Sequence, residues 1–264
     1  MARRSRSEVE ASSLKVDAVT EEASGLARGI EIMRMLSASQ QVLSVTRVAQ
    51  QLGCQNAMAE RLLRTLAGYR MLRVLDDGAS YAPDVGVLLL GRAAAESVRA
   101  VSLAPEVFSS AMLEPGLIVR LDALDRNFSV CLTMTGPMES RRIGQLRDLA
   151  NCAAGHALLW RSPMNFRAAV FERLESQGGS GAALLGAIYR SFQQLEEKGH
   201  CFLPPEPDDA RLRCAATVRG VEDHPIMAVE LSLADASGQG PHCPPGMGSL
   251  VVDLAARLRQ ALGA

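Results

Sequence analysis

Residues 44–83 read SVTRVAQQLGCQNAMAERLLRTLAGYRMLRVLDDGASYAP. Ser44 is a good N-cap for a short helix, Val45–Leu52, that turns Val48, Ala49 and Leu52 inward. Gly53 stops that helix where a positive φ is wanted. A further helix over 56–69 puts Ala59, Leu62, Leu63 and Leu66 on one face, with Met58, Arg61, Arg64 and Thr65 on the other. Two apolar runs, 71–75 and 79–82, flank Asp76-Asp77-Gly78, an Asp-Gly signal for a β-hairpin. Upstream, Ser24-Gly25 precedes a helix over 26–38 with Leu26, Ile30, Met33 and Leu36 at helical spacing. Helix, helix, tight turn, helix, hairpin is the layout of a winged helix-turn-helix. Such a unit projects its third helix into a DNA major groove. The same spacing also fits a three-helix packing unit without nucleic acid.

The 264-residue chain has room for one large domain or two modest ones. A hydrophobic fraction of 48% supplies a core and excludes a mostly disordered chain. With 28 Lys+Arg against 29 Asp+Glu, the net charge of −1 excludes a general polyanion sponge. Partitioned, the net is −1 over 1–24, +2 over 25–84 and −2 over 85–264. A +2 monomer would bind DNA weakly, because affinity follows phosphate neutralisation; a dimer doubles the contacts.

Residues 1–24 read as a flexible tail with no apolar run, and hence no secretory leader. No stretch approaches the roughly 18 apolar residues of a membrane span. Six singly spaced cysteines, with no C-x-x-C, argue against a structural zinc site or disulfide framework and suit a reducing cytoplasm. The four histidines show no ligand spacing, and neither G-x-S-x-G nor a P-loop occurs. The sequence therefore predicts no enzyme, no catalytic residue, no metal and no cofactor. His242-Cys243, in GQGPHCPPGMG, reads as a loop too flexible to preorganise chemistry.

In the second half, 117–121 and 128–133 read as strands around a polar turn, 122–127. Helices are expected over 153–160, 183–198 and 253–262. Runs 214–219 and 225–233 read as a strand hairpin around 220–224. The fold class is α+β, with helices packed on a sheet.

SGLARGIEIMRML and the 44–83 stretch together resemble the DNA-binding half of the IclR family of bacterial transcriptional regulators. The likeness continues in GVLLLGRAAAES, NCAAGHALLW, LEEKGHCFLPPEPDDARLRCAATVR and LAARLRQALGA, so it covers about residues 24–264. It implies a winged helix-turn-helix over 25–84, a linker helix over 85–104 and a GAF-like α/β effector-binding and oligomerisation domain over 105–264. It also implies a homodimer or dimer of dimers on palindromic promoter DNA, tuned by a small-molecule effector. The linker helix would pair with its copy in a second chain, though intrachain packing of Leu88, Leu89, Ala93 and Val98 is the plainer alternative.

Carried onto this chain, Arg28 would touch a phosphate and Arg61 would sit at the groove, with Gln55, Asn56 and Arg64 as polar neighbours. Ala57 and Met58 replace a Ser-Thr pair usual in the family, so they offer apolar contacts such as one to a thymine methyl. Glu60 is unfavourable near phosphates unless it accepts from cytosine or pairs with an arginine. The effector pocket falls on Leu203, Arg213, Glu230 and Ser232, with the Ala154 and Gly155 amides at a helix start suited to an anion. Glu230 stands where relatives often carry a small hydroxyl residue. It either pairs with Arg213, leaving a mostly apolar pocket, or the two grip opposite ends of a polar ligand. His156 replaces the family's usual lysine and reads as structural. The expectation is a cytoplasmic, ligand-controlled DNA-binding regulator. The alternative is a ligand-binding interaction module with a degenerate DNA-binding half.

Overall fold

The computed structural model describes residues 24–37, 42–109, 116–136, 143–205, 210–218, 225–234 and 242–263. The expected tail, apart from Ser24, and the 220–224 turn lie outside them. The chain divides into two compact units, Met1–Ala94 and Ala95–Ala264.

In the first unit, α1 (Ser24–Ser37), α2 (Val45–Leu52) and α3 (Asn56–Gly68) pack on a small antiparallel sheet. That sheet has the order β1 (Leu43–Ser44), β3 (Ser80–Pro83), β2 (Leu72–Val74). Ser44 caps α2 by accepting from the Arg47 amide at 3.4 Å. Gly53, at φ 62°, closes α2 in the left-handed region, and the Cys54 amide returns to the Ala49 carbonyl at 3.0 Å. Val48, Ala49, Ala59 and Leu63 are buried together with Ile32, Met35, Leu43, Leu72 and Tyr81. The wing forms at the Asp-Gly signal, where the Asp77 carboxylate accepts from the Ala79 and Ser80 amides at 3.0 and 2.9 Å.

The phase of α1 differs from the sequence reading. Leu26 and Ile30 are exposed, whereas Ile32, Met35 and Glu31 are buried. Packing against α2 and α3 selects the 31–32–35 face over the more apolar stripe, and Met33 and Leu36 are left at its margin.

The expected single linker helix is two helices, α4 (Val85–Ser97) and α5 (Arg99–Ser109). No residue of α4 is buried, while Ala100, Ala104 and Phe108 of α5 are in the core of the second unit. The break at Val98 separates a solvent-facing apolar helix from one docked on a sheet.

The second unit holds a six-stranded antiparallel sheet, ordered β6 (Leu146–Asp148), β5 (Phe128–Thr135), β4 (Ile118–Asp125), β9 (Met227–Ala234), β8 (Arg211–Val218), β7 (Cys201–Leu203). One face packs α5 and α9 (Met247–Ala261) through Val119, Leu121, Ala216, Val229, Leu231 and Leu254. The other carries α6 (Ala153–Arg161), α7 (Met164–Glu175) and α8 (Gly179–Lys198) over Ala215 and Ala228. Both faces of β8 and β9 are buried, and Arg213, Glu230 and Ser232 interrupt their apolar residues on the α6 face.

Asp122 was expected in a turn; it lies mid-strand in β4 and is fully buried. The turn is shorter, Arg126–Asn127, with Arg126 at φ 51°. The sequence reading also missed α7, whose apolar spacing is weak.

Candidate nucleic-acid interface and effector site

Helix α3 presents its outer face to solvent. Gln55 caps the helix only through its carbonyl, which accepts from the Met58 and Ala59 amides, and its side chain makes no capping bond. Gln55, Asn56, Ala57, Arg61 and Arg64 are exposed and Met58 is half-buried. An open trough on this face is lined by Ala57, Glu60, Arg61, Arg64 and Thr65. Glu60 takes the arginine-pairing option: its carboxylate meets Arg64 at 2.8 Å, one helical turn on. An exposed pair of this kind contributes about 0.3–0.5 kcal/mol, so it yields readily to a phosphate. Arg61 lies along Met58, 3.4 Å from its sulfur. Arg28 stands apart from this row, half-buried on α1.

The second unit brings its sequence-derived residues together on the α6 face of the sheet. Leu203, Arg213, Ser232 and Ile118 form one row across β7, β8, β9 and β4. Glu230 lies in the next row of that face, opposite Arg120 and Ala215. Above it, Ala154 and Gly155 open helix α6.

The partner of Glu230 is Arg147, not Arg213. Arg147 reaches Glu230 and Asp122 with separate nitrogens, each at 2.6 Å. Arg120 meets Asp122 at 3.1 Å and the Gln145 side chain at 3.4 Å. Arg213 instead donates to the Asn151 carbonyl at 3.4 Å. Two arginines and two carboxylates thus balance inside the sheet–helix layer, an arrangement that tolerates burial only when every charge is matched.

The helix-start amides expected to hold an effector anion are engaged internally. The Ala154 amide donates to the other Glu230 oxygen at 2.8 Å, and Gly155 donates to the Cys152 sulfur at 3.3 Å. Burial pushes the Glu230 carboxyl up, but the Arg147 and Arg120 charges and the Ala154 amide outweigh it and hold it ionised, below the ordinary range. The protein's own carboxylate therefore occupies the anion position at the start of α6. Gly155 lets the 149–151 turn lie close against the start of α6: a Cβ there would fall 2.3 Å from the Leu149 carbonyl oxygen.

His156 is fully buried and ties three elements together. Its Nε2 faces the Ala150 carbonyl at 3.0 Å and its Nδ1 the Ser191 hydroxyl at 2.7 Å. A carbonyl only accepts, so in the neutral ring Nε2 carries the proton and Nδ1 accepts from Ser191. Burial lowers its pKa to about 4. Cys152, beside the cluster, is a thiol, since burial pushes its pKa up to about 11.

Sequence reasoning missed Arg120, Asp122 and Arg147. A signal existed in IVRLDALD, where two charges at i, i+2 interrupt an apolar strand and therefore share a face. The expectation that the cysteines and histidines form no set also needs correction. His200, Cys214 and Cys243 place their ligand atoms within 4.8 Å of one another, from three separate parts of the chain. Sequence spacing could not reveal a convergence made by strand pairing and helix docking.

The family model for the IclR helix-turn-helix domain matches residues 25–76. The first unit carries an IclR helix-turn-helix domain. The full chain has the fold of solved IclR family structures. An IclR family transcriptional regulator from Brucella abortus superposes with a TM-score of 0.81 at 20% identity, covering 94% of this chain and 97% of that one. An IclR-type regulator from Alicyclobacillus acidocaldarius gives 0.67 at 16% identity, with 91% and 96% covered. An IclR homolog from Microbacterium hydrocarbonoxydans, solved with 4-hydroxybenzoate, gives 0.66 at 13% identity, with 90% and 99% covered. No curated protein matches the sequence. Among the described residues, no helix is long and apolar enough to cross a membrane.

Proposed function

We propose that this chain is a ligand-controlled, DNA-binding transcription regulator of the IclR type, acting without catalysis in the cytoplasm. The observation that carries the reading is the match to the IclR helix-turn-helix, in which Gln55, Asn56, Ala57, Arg61 and Arg64 of the outer α3 face are exposed. Gln55, Asn56, Ala57 and Met58 would face base edges, while Arg61, Arg64 and Arg28 neutralise phosphates. The chain would act as a homodimer, or a dimer of dimers, on a palindromic promoter site. Exposed Leu88, Leu89 and Leu90 on α4 support pairing of that helix with its copy. The functional divisions we assign are a DNA-binding domain over 25–84, a linker over 85–104 and an effector and oligomerisation domain over 105–264.

The effector would lie on the Leu203–Arg213–Ser232 row, with Glu230 closing the end beneath Ala154 and Gly155. A buried, ionised Glu230 favours hydroxyl or cationic groups at that end and repels a carboxylate.

A mobility shift with the full chain and the DNA upstream of its gene tests the DNA half. A specific complex is expected whose affinity falls with salt. In Arg61→Ala the slope of log K against log salt should flatten by about 1, as for one lost phosphate contact. If no fragment shifts at low salt, the regulator reading fails and the degenerate-domain alternative stands.

A further inference from the structure

Outside the charged cluster, on the opposite face of the same sheet, His200, Cys214 and Cys243 converge. Their nearest ligand atoms all fall within 4.8 Å of one another. Three elements contribute. His200 follows the αL cap Gly199 that ends α8, two residues before Phe202 in β7. Phe202 pairs with Cys214 in β8, so His200 and Cys214 lie on one face by strand alternation. Cys243 arrives on the segment that leads into α9. Cys214 is fully buried, and Cys243 and His200 are half-buried.

The surroundings are arranged as metal sites arrange them. The His200 Nδ1 faces the Lys198 carbonyl at 3.2 Å. A carbonyl only accepts, so Nδ1 carries the proton and the lone pair resides on Nε2. That outer hydrogen bond is the usual orienting contact of a ligating histidine. The ring fits only because residue 248 is glycine: a Cβ there would fall 2.3 Å from Nε2.

We propose that His200 Nε2, Cys214 Sγ and Cys243 Sγ bind one thiophilic metal ion of the Zn2+ or Cu(I) kind. A donor set of two sulfurs and one imidazole nitrogen selects such ions over hard, oxygen-seeking cations. Zn–S bonds of about 2.3 Å and a Zn–N bond of about 2.0 Å give a tetrahedral edge of roughly 3.7 Å, so the set closes by at most about 1 Å on loading. Binding displaces the two thiol protons to solvent. Zn2+ takes a solvent water as fourth ligand on the half-exposed side, whereas Cu(I) is satisfied by the three. The ion would pin the start of α9 to the β7–β8 edge. This assignment does not depend on the effector reading, because it uses the other face of the sheet.

The test uses the full chain, reduced and stripped of metal, titrated with Co2+ without oxygen. One Co2+ per chain is expected, with thiolate-to-cobalt charge-transfer absorption that Zn2+ abolishes; a parallel Cu(I) competition ranks the two ions. Cys243→Ser should lose about half of that absorption and weaken binding about 100-fold. His200→Gln should keep the charge-transfer band, alter the ligand-field bands and weaken binding at least 10-fold. Both replacements are at half-buried positions, and thermal melts check that they stay folded. Cys54→Ser, in the other unit, should titrate like the parent chain. Absence of the band, a band unchanged by Cys243→Ser, or a Cys214–Cys243 disulfide in a chain that takes no metal when reduced would each overturn the assignment.

Discussion

On the DNA-facing surface we propose, Glu60 would set how strongly a phosphate is held. It holds Arg64 at 2.8 Å on the exposed face of α3. A phosphate must draw Arg64 away and then lie beside a carboxylate. Glu60→Gln removes both costs. Binding to random-sequence duplex should tighten severalfold at low salt, with a steeper salt slope, measurable by fluorescence anisotropy. If Glu60 instead reads a cytosine amine, the variant will lose discrimination at one operator position while its non-specific affinity stays level.

Glu230 makes a comparable choice inside the protein. Its carboxylate fills the anion position at the Ala154 amide and neutralises Arg147. Glu230→Ser vacates that position and leaves Arg147 facing Asp122 alone. Removing one member of a buried charged set typically costs about 3–5 kcal/mol. A small carboxylate, with benzoate as the probe, should restore much of the lost melting temperature in the variant and leave the parent unchanged. A variant that is destabilised but indifferent to benzoate would assign Glu230 to bracing alone.

Among elements, α6 is tied to its neighbours through a buried histidine. His156 joins it to the 149–151 turn and to α8 through the Ala150 carbonyl and Ser191. Its folded pKa of about 4 lies below the unfolded value of about 6.5, so between those values the unfolded chain binds the extra proton. Stability is full above pH 6.5 and is lost as pH falls toward 4, by about 3 kcal/mol in all. Glu230 acts in a separate, more acidic window. Its stabilising contribution is present above the unfolded carboxylate pKa and disappears as pH falls through its depressed folded value. Urea midpoints should therefore drop between pH 6.5 and 5 in the parent chain and drop less in His156→Gln, where His200, also lowered by burial, still contributes.

The elements also show what periodicity can and cannot reveal. Ser44, Gly53 and Asp77-Gly78 act locally, through caps and a turn whose geometry the residue types dictate, and α2, α3 and the wing were legible for that reason. The phase of α1 was not, because the neighbouring helices choose the buried face. The residues of the candidate effector row were legible only through the family likeness. Their true electrostatic partners were hidden because Arg120 and Arg147 reach Asp122 and Glu230 through strand order, which no local pattern encodes. The Val98 break escaped notice because neither Gly nor Pro stands at 97–99 to mark it.

For the whole molecule, oligomeric state is the property that a near-neutral chain most needs. A net of +2 over residues 25–84 gives little phosphate affinity to a single copy. Leu88, Leu89 and Leu90 are 74%, 67% and 58% exposed, and α4 would be the seam of the dimer we propose. Leu88→Glu combined with Leu89→Glu should shift the chain toward monomer in sedimentation and abolish specific DNA retention. The second unit should keep its melting temperature, since no α4 residue is buried.

The two-sided sheet has one further consequence. Arg213 and Cys214 are consecutive in β8 and serve opposite faces, one beneath α6 and one beneath α9. A single peptide unit thus separates the proposed effector row from the proposed metal site. Were both sites occupied, a displacement of β8 that favours one side would reach the other without a relay of side chains. Linkage then makes the exchange symmetrical: whatever factor a metal ion applies to effector affinity, the effector must apply to the metal. β8 would serve as a balance arm between two inputs.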